Sequence, residues 1–131
     1  MATSAPCPLP VSVQLADIAQ LEDGWLDGDG FAYAPHALAR AREIFEALLA
    51  LGGIVMPYIY PSPEGEFRAE WNHSDRDIVV TLDADGKRIR LLVVGAGDDI
   101  PTRRETFEAN ANGVKMLAST LEALLKAEVG P

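Results

Sequence analysis

An α+β fold built on one antiparallel sheet is the architecture this sequence predicts, on three observations. Apolar residues recur at helical spacing in the first and last parts of the chain and alternate with polar ones in the middle. The middle is also cut by turn residues, most clearly Asp83-Ala84-Asp85-Gly86. The expected arrangement is two N-terminal helices, a four-stranded antiparallel meander and a long C-terminal helix packed on one sheet face.

Val11, Leu15, Ile18 and Leu21 are spaced by four and three, which predicts a short amphipathic helix over 11–22. Asp23-Gly24-Trp25-Leu26-Asp27-Gly28-Asp29-Gly30 ends it, because glycine and aspartate disfavour both helix and strand. Pro35 suits a first helical position, and Leu38, Ala41, Phe45, Leu48 and Leu49 form one stripe up to a stop at Gly52. Ile54–Tyr60 is rich in strand formers, but Pro57 makes it an edge or irregular strand. Phe67, Ala69 and Trp71 alternate with Arg68, Glu70 and Asn72, the pattern of a half-buried strand.

Ile78–Leu82 and Arg88–Val94 flank the hairpin turn. Setting Leu82 opposite Lys87 pairs Val80 with Ile89 and Ile78 with Leu91. Ile78, Val80, Leu82, Ile89, Leu91 and Val93 then share the buried face. Gly95-Ala96-Gly97-Asp98-Asp99 breaks the last strand. Thr102 with Glu105 forms a capping-box pattern that starts the final helix, which runs to about Glu128. Residues 1–10 are expected to form a flexible N-terminus, and 11–131 a single domain, a normal size for one hydrophobic core.

Twenty acidic residues against eleven basic ones give a formal charge of −9. That field repels a phosphate backbone, so direct nucleic-acid binding is disfavoured and a basic protein partner favoured. Cys7 is the single cysteine, so no intrachain disulfide forms. The first residues lack a basic-then-apolar leader pattern, and no apolar run reaches membrane-spanning length. A cytoplasmic protein without membrane contact is the expectation.

The aspartate-glycine loop invites a calcium test. With Gly30 at position 6 of an EF-hand loop, Trp25 falls at position 1 and His36 at position 12. With Gly28 there, Trp25 falls at position 3 and Ala34 at position 12. Both frames lack ligands, so no metal and no cofactor is expected, and Trp25 is read as an anchor burying the loop in the core. His36 and His73 have no ligand spacing, and no nucleophile is placed with them. Gly95-Ala96-Gly97 lacks the third glycine of a dinucleotide loop, Ile100 standing in its place. No catalytic residue is assigned. The candidate binding residues are Trp25, Asp27 and Asp29 in the loop, Tyr58 and Tyr60 near the Pro57 edge, and the Glu70-Trp71 pair. Arg68, Thr81 and Arg90 are expected near Glu70 on the polar sheet face, where cross-strand ion pairing explains them without function.

Trp25-Leu26-Asp27-Gly28-Asp29-Gly30, Pro57, Tyr60-Pro61-Ser62-Pro63-Glu64-Gly65 and Glu70-Trp71 together resemble a family of short uncharacterised bacterial proteins. The resemblance spans about residues 15–95 and departs at Glu66, where a second glycine is expected. It brings no activity with it. A resemblance to small proteins of toxin-defence gene neighbourhoods implies an antitoxin- or immunity-like role. The expected function is thus an acidic, non-catalytic protein-binding module. Two alternatives stand beside it: a small enzyme or ligand binder using Asp27, Asp29 and Glu70, and a structural homodimer through the Pro57 edge or the last helix.

Overall fold

The computed structural model describes residues 9–51, 54–73, 76–95 and 103–126. Helices α1 (Val11–Ile18) and α2 (Pro35–Ala50) precede strands β1 (Tyr58–Pro61), β2 (Phe67–His73), β3 (Arg76–Leu82), β4 (Arg88–Gly95) and β5 (Arg103–Glu108), and α3 (Ala111–Lys126) follows. The strands form one antiparallel meander in the order β1-β2-β3-β4-β5. Among the described residues no helix is long and apolar enough to cross a membrane.

One face of the sheet is buried. Ile59, Phe67, Ala69, Trp71, Ile78, Val80, Leu82, Ile89, Leu91, Val93 and Phe107 all point to it. They join Val11, Leu15 and Ile18 of α1, Ala41, Ile44, Phe45 and Leu48 of α2, and Val114, Leu117, Leu121 and Leu125 of α3 in one core. The α+β class and the membership of the β3–β4 buried face agree with the periodicity. The register differs from expectation: Leu82 pairs with Ile89, Val80 with Leu91 and Ile78 with Val93. Asp83 N donates to Arg88 O at 3.0 Å, and the Asp85 carboxylate takes the Lys87 amide at 3.0 Å, so Lys87 belongs to the turn. The shift is two residues, which keeps every side chain on its predicted face.

The sheet has five strands rather than four. Residues 103–108, expected in the final helix, form β5 on the free edge of β4, with Phe107 buried opposite Ile89. Glu105 caps nothing and pairs with Arg103, while Thr102 lies outside the described residues. As a strand this segment pairs the otherwise open edge of β4 and buries Phe107, which a local cap does not provide. The helix starts instead at Asn110, whose Oδ1 accepts the Gly113 amide at 2.8 Å. Gly113 packs directly on the end of β5: a Cβ there would lie 1.8 Å from the Glu108 carbonyl oxygen.

Helix α1 is shorter than predicted. Its end tightens through Gln20 N to Asp17 O and Leu21 N to Ile18 O, both 3.1 Å. Gln14 ties it to the sheet edge. The side-chain amide donates to Pro57 O at 2.9 Å and accepts the Ile59 amide at 2.7 Å, so it acts like one peptide unit of a sixth strand. Pro61, the next residue of that outward parity, has no N–H. The β1 edge therefore offers no free backbone donor, which weighs against dimerisation by strand addition there. On the opposite flank, Arg40 of α2 donates to Gly86 O at 3.3 Å and to Ala109 O, clamping the β3–β4 turn to the start of α3. The Gly52 stop, the 95–99 break beyond Gly95, and nearly all of the N-terminal 1–10 segment lie outside the described residues.

Gly113→Ala is expected to lower unfolding free energy by about 3 kcal/mol, because backbone must move to admit the methyl group. Gln14→Ala is expected to cost about 1–2 kcal/mol by leaving the Ile59 amide unpaired. Urea denaturation of both variants checks these values, and stability equal to wild type would contradict the packing and edge assignments.

Candidate functional site

The aspartate-glycine loop is a miniature hairpin. Leu26 N donates to Asp29 O at 2.9 Å and Asp29 N to Leu26 O at 2.8 Å, and Gly24 N donates to Gly30 O at 2.8 Å. Between the arms, Asp27 has φ 49° and Gly28 φ 96°, the two positive values of a type I′ turn. Asp tolerates this region better than most residues, so Asp-Gly at the tip has a local reason. Asp23 Oδ1 accepts the Ala32 amide at 2.8 Å and closes the base. The loop is thus held by its own backbone and one carboxylate.

Trp25 does not anchor it in the core. The indole is only partly buried and lies over Gly30, where a Cβ would come within 2.6 Å of Nε1, and it donates to Phe31 O at 3.2 Å. Folding the ring back on its own hairpin is possible because Gly30 has no side chain. Tyr33 supplies the anchor instead. Its buried ring packs against Phe67 with centroids 4.6 Å apart. Its hydroxyl accepts the Ser62 amide at 2.8 Å and lies 3.0 Å and 2.5 Å from the carbonyls of Ser62 and Glu66. Burial raises the Tyr33 phenol above its ordinary value of 10.0, more than the hydrogen bonds from Ser62 lower it.

What the hairpin displays is apolar and acidic. Leu26 is 43% exposed and Phe31 73% exposed. The carboxylates of Asp27 and Asp29 have no partner among the described residues. Asp29, Gly30 and Phe31 border a shallow depression completed by Pro63 and Glu64. The chain has no Lys or Arg before Arg40, so Asp17, Glu22, Asp23, Asp27 and Asp29 meet no cation from their own segment.

The other surface not covered by helices is the open face of the sheet. Register places Tyr60, Arg68, Thr81, Arg90 and Thr106 in one row across it, and Tyr58, Glu70, Val79, Leu92 and Arg104 in the next. Tyr58 and Tyr60 stack with centroids 6.4 Å apart and planes at 28°. Arg68 Nη2 lies 3.6 Å from Glu70 Oε2. Arg90 donates to Asp83 Oδ1 at 2.8 Å and pairs with Glu66; the Asp83 hydrogen bond is the main reason its guanidinium is held above its ordinary value.

The seven residues singled out in the sequence therefore occupy three places. Trp25, Asp27 and Asp29 are on the hairpin, and Tyr58, Tyr60 and Glu70 are on the open face. Trp71 is in the core, with its indole N–H on Val55 O at 2.7 Å. Adjacent strand residues point to opposite faces, so Glu70 and Trp71 cannot share a site. Glu70 lies on the open sheet face, whereas Asp29 borders the depression beside Pro63 and Glu64. Among the described residues, no group of three or more His, Cys, Asp or Glu side chains is placed to hold a metal. Leu26 and Phe31 were not singled out. Their signal was being large, apolar and outside any helical or strand period.

Tyr33→Phe is expected to cost about 1 kcal/mol, since the Ser62 amide loses the shorter of its two acceptors, keeping Glu66 O at 3.2 Å, and the 62–66 turn loses its phenol donor. The raised phenol also links stability to pH. Below pH 10 its contribution is fully present, and it declines as pH rises through the folded-state value, because only the unfolded chain ionises readily there. Urea titrations from pH 8 upward should lose this decline in the Phe variant.

No known protein family, curated protein or solved structure matches this chain, so the chemistry of these surfaces rests on their own residues.

Proposed function

We propose that the chain is a small acidic, non-catalytic protein-binding module that presents the Leu26–Phe31 hairpin to a basic partner. The observation that carries this reading is the pairing of two exposed apolar side chains with unpartnered carboxylates on a loop held by its own hydrogen bonds. Binding surfaces commonly centre on an apolar anchor inside a polar rim. A loop that is already in shape loses little entropy when it binds. The charge of −9 adds long-range attraction toward a cationic surface and speeds encounter. Covering the basic surface of an effector in this way is the physical content of an antitoxin- or immunity-like role.

Asp27→Asn preserves the tolerance for a left-handed backbone while removing charge, so it separates electrostatics from folding. The full chain is immobilised and exposed to host lysate in about 50 mM salt, where charge attraction is weakly screened. A basic protein is expected at one-to-one stoichiometry, reduced about tenfold by Phe31→Ser and again by Asp27→Asn with Asp29→Asn. Melting curves of these variants should match wild type. Equal recovery by wild type and variants would reject the hairpin as the contact, and recovery of acidic partners alone would reject the charge argument.

A further inference from the structure

The open sheet face carries a cleft of about 550 Å³ that the hairpin reading leaves unused. Its size is that of a pocket for a small organic molecule. Its floor is Val79 and Leu92, cross-strand neighbours, beside Thr81. Thr81 is the informative residue. It is only 9% exposed although it lies on the uncovered face, and its hydroxyl has no hydrogen-bond partner among the described residues. Register sets it between Arg68 and Arg90, whose long stems shield it from both sides.

A buried hydroxyl without a partner is unfavourable unless something supplies one. Its neighbours indicate what that is. Arg90 is already engaged by Asp83 and Glu66, and Arg68 is loosely held by Glu70. Arg104 lines the same cleft from β5, one row along and two strands across from Thr81 on the far side of Leu92, and has no anionic partner among the described residues. The rim also carries Glu64, Glu66 and Glu105, which penalise a second negative charge. We infer that this cleft binds a small monocarboxylate with an apolar body, the carboxylate meeting Thr81 and Arg104 and the body covering Val79 and Leu92.

Phenylacetate is the probe. Titrated into the full chain and followed by amide NMR, it is expected to give saturable shifts at Thr81, Leu92 and Thr106 at millimolar concentration or below. Arg104→Gln should weaken binding about tenfold at unchanged melting temperature. Thr81→Val should weaken it while leaving the fold as stable or more so, since it removes an unpartnered hydroxyl at nearly constant volume. A purely structural threonine would leave binding unmoved. Benzyl alcohol, which keeps the ring and lacks the charge, and phenyl phosphate, which carries more charge, should both bind more weakly. Wild-type affinity in both variants, shifts spread over the helices, or no saturation up to about 20 mM would overturn the site. Tighter binding of phenyl phosphate or of benzyl alcohol would overturn the single-carboxylate assignment.

Discussion

Parity across a sheet buried on one face is the constraint on which the rest of this structure depends. Every strand must present its apolar alternation to the same three helices, so each register is allowed only in steps of two. The β3–β4 hairpin illustrates the point: moving its pairing by two residues changes every partner and no face. The same rule sends the intervening residues to the open face. Core and surface cleft are therefore one pattern read on its two sides, Val80 and Leu82 facing the helices and Val79 and Thr81 facing out.

Hydrophobic burial alone does not say where the sheet ends or how loops attach, and polar side chains settle those questions. Gln14 substitutes for a strand at one edge, and Arg40 joins a turn of the meander to the start of α3. The Tyr33 hydroxyl holds the 62–66 turn. Arg76 reaches the Leu124 carbonyl at 3.3 Å near the far end of α3. Each of these bonds joins segments distant in sequence. Each also satisfies backbone groups that tertiary packing leaves partly buried.

The two faces of the sheet differ in how completely their groups are packed or paired. The helix side is apolar and closely packed, to the point that a single methyl group at Gly113 has no room. Among the described residues, Asp27 and Asp29 on the hairpin and Thr81 and Arg104 in the cleft are polar groups without a partner. Most of the negative charge on the sheet face is locally matched by arginine, whereas that of the hairpin is not. This uneven compensation, rather than net charge alone, is the basis on which a basic partner is proposed for the hairpin and a small anion for the cleft.

The sequence by itself determined the α+β class, the presence though not the full bounds of two N-terminal helices, the β2–β4 core face and the Asp83–Gly86 turn, because these follow from short-range periodicity and backbone preference. Only tertiary structure decided the fate of residues 103–108, where a capping pattern lost to an unfilled strand edge. It decided likewise that Trp25 would lie on its own hairpin while Tyr33 entered the core, a choice set by the space above Gly30 and beside Phe67. Thr81 reads as an ordinary strand former from its neighbours in sequence. Its burial, with no hydroxyl partner among the described residues, emerges only when β2 and β4 bring Arg68 and Arg90 to either side, because burial on a sheet face is a property of three strands together.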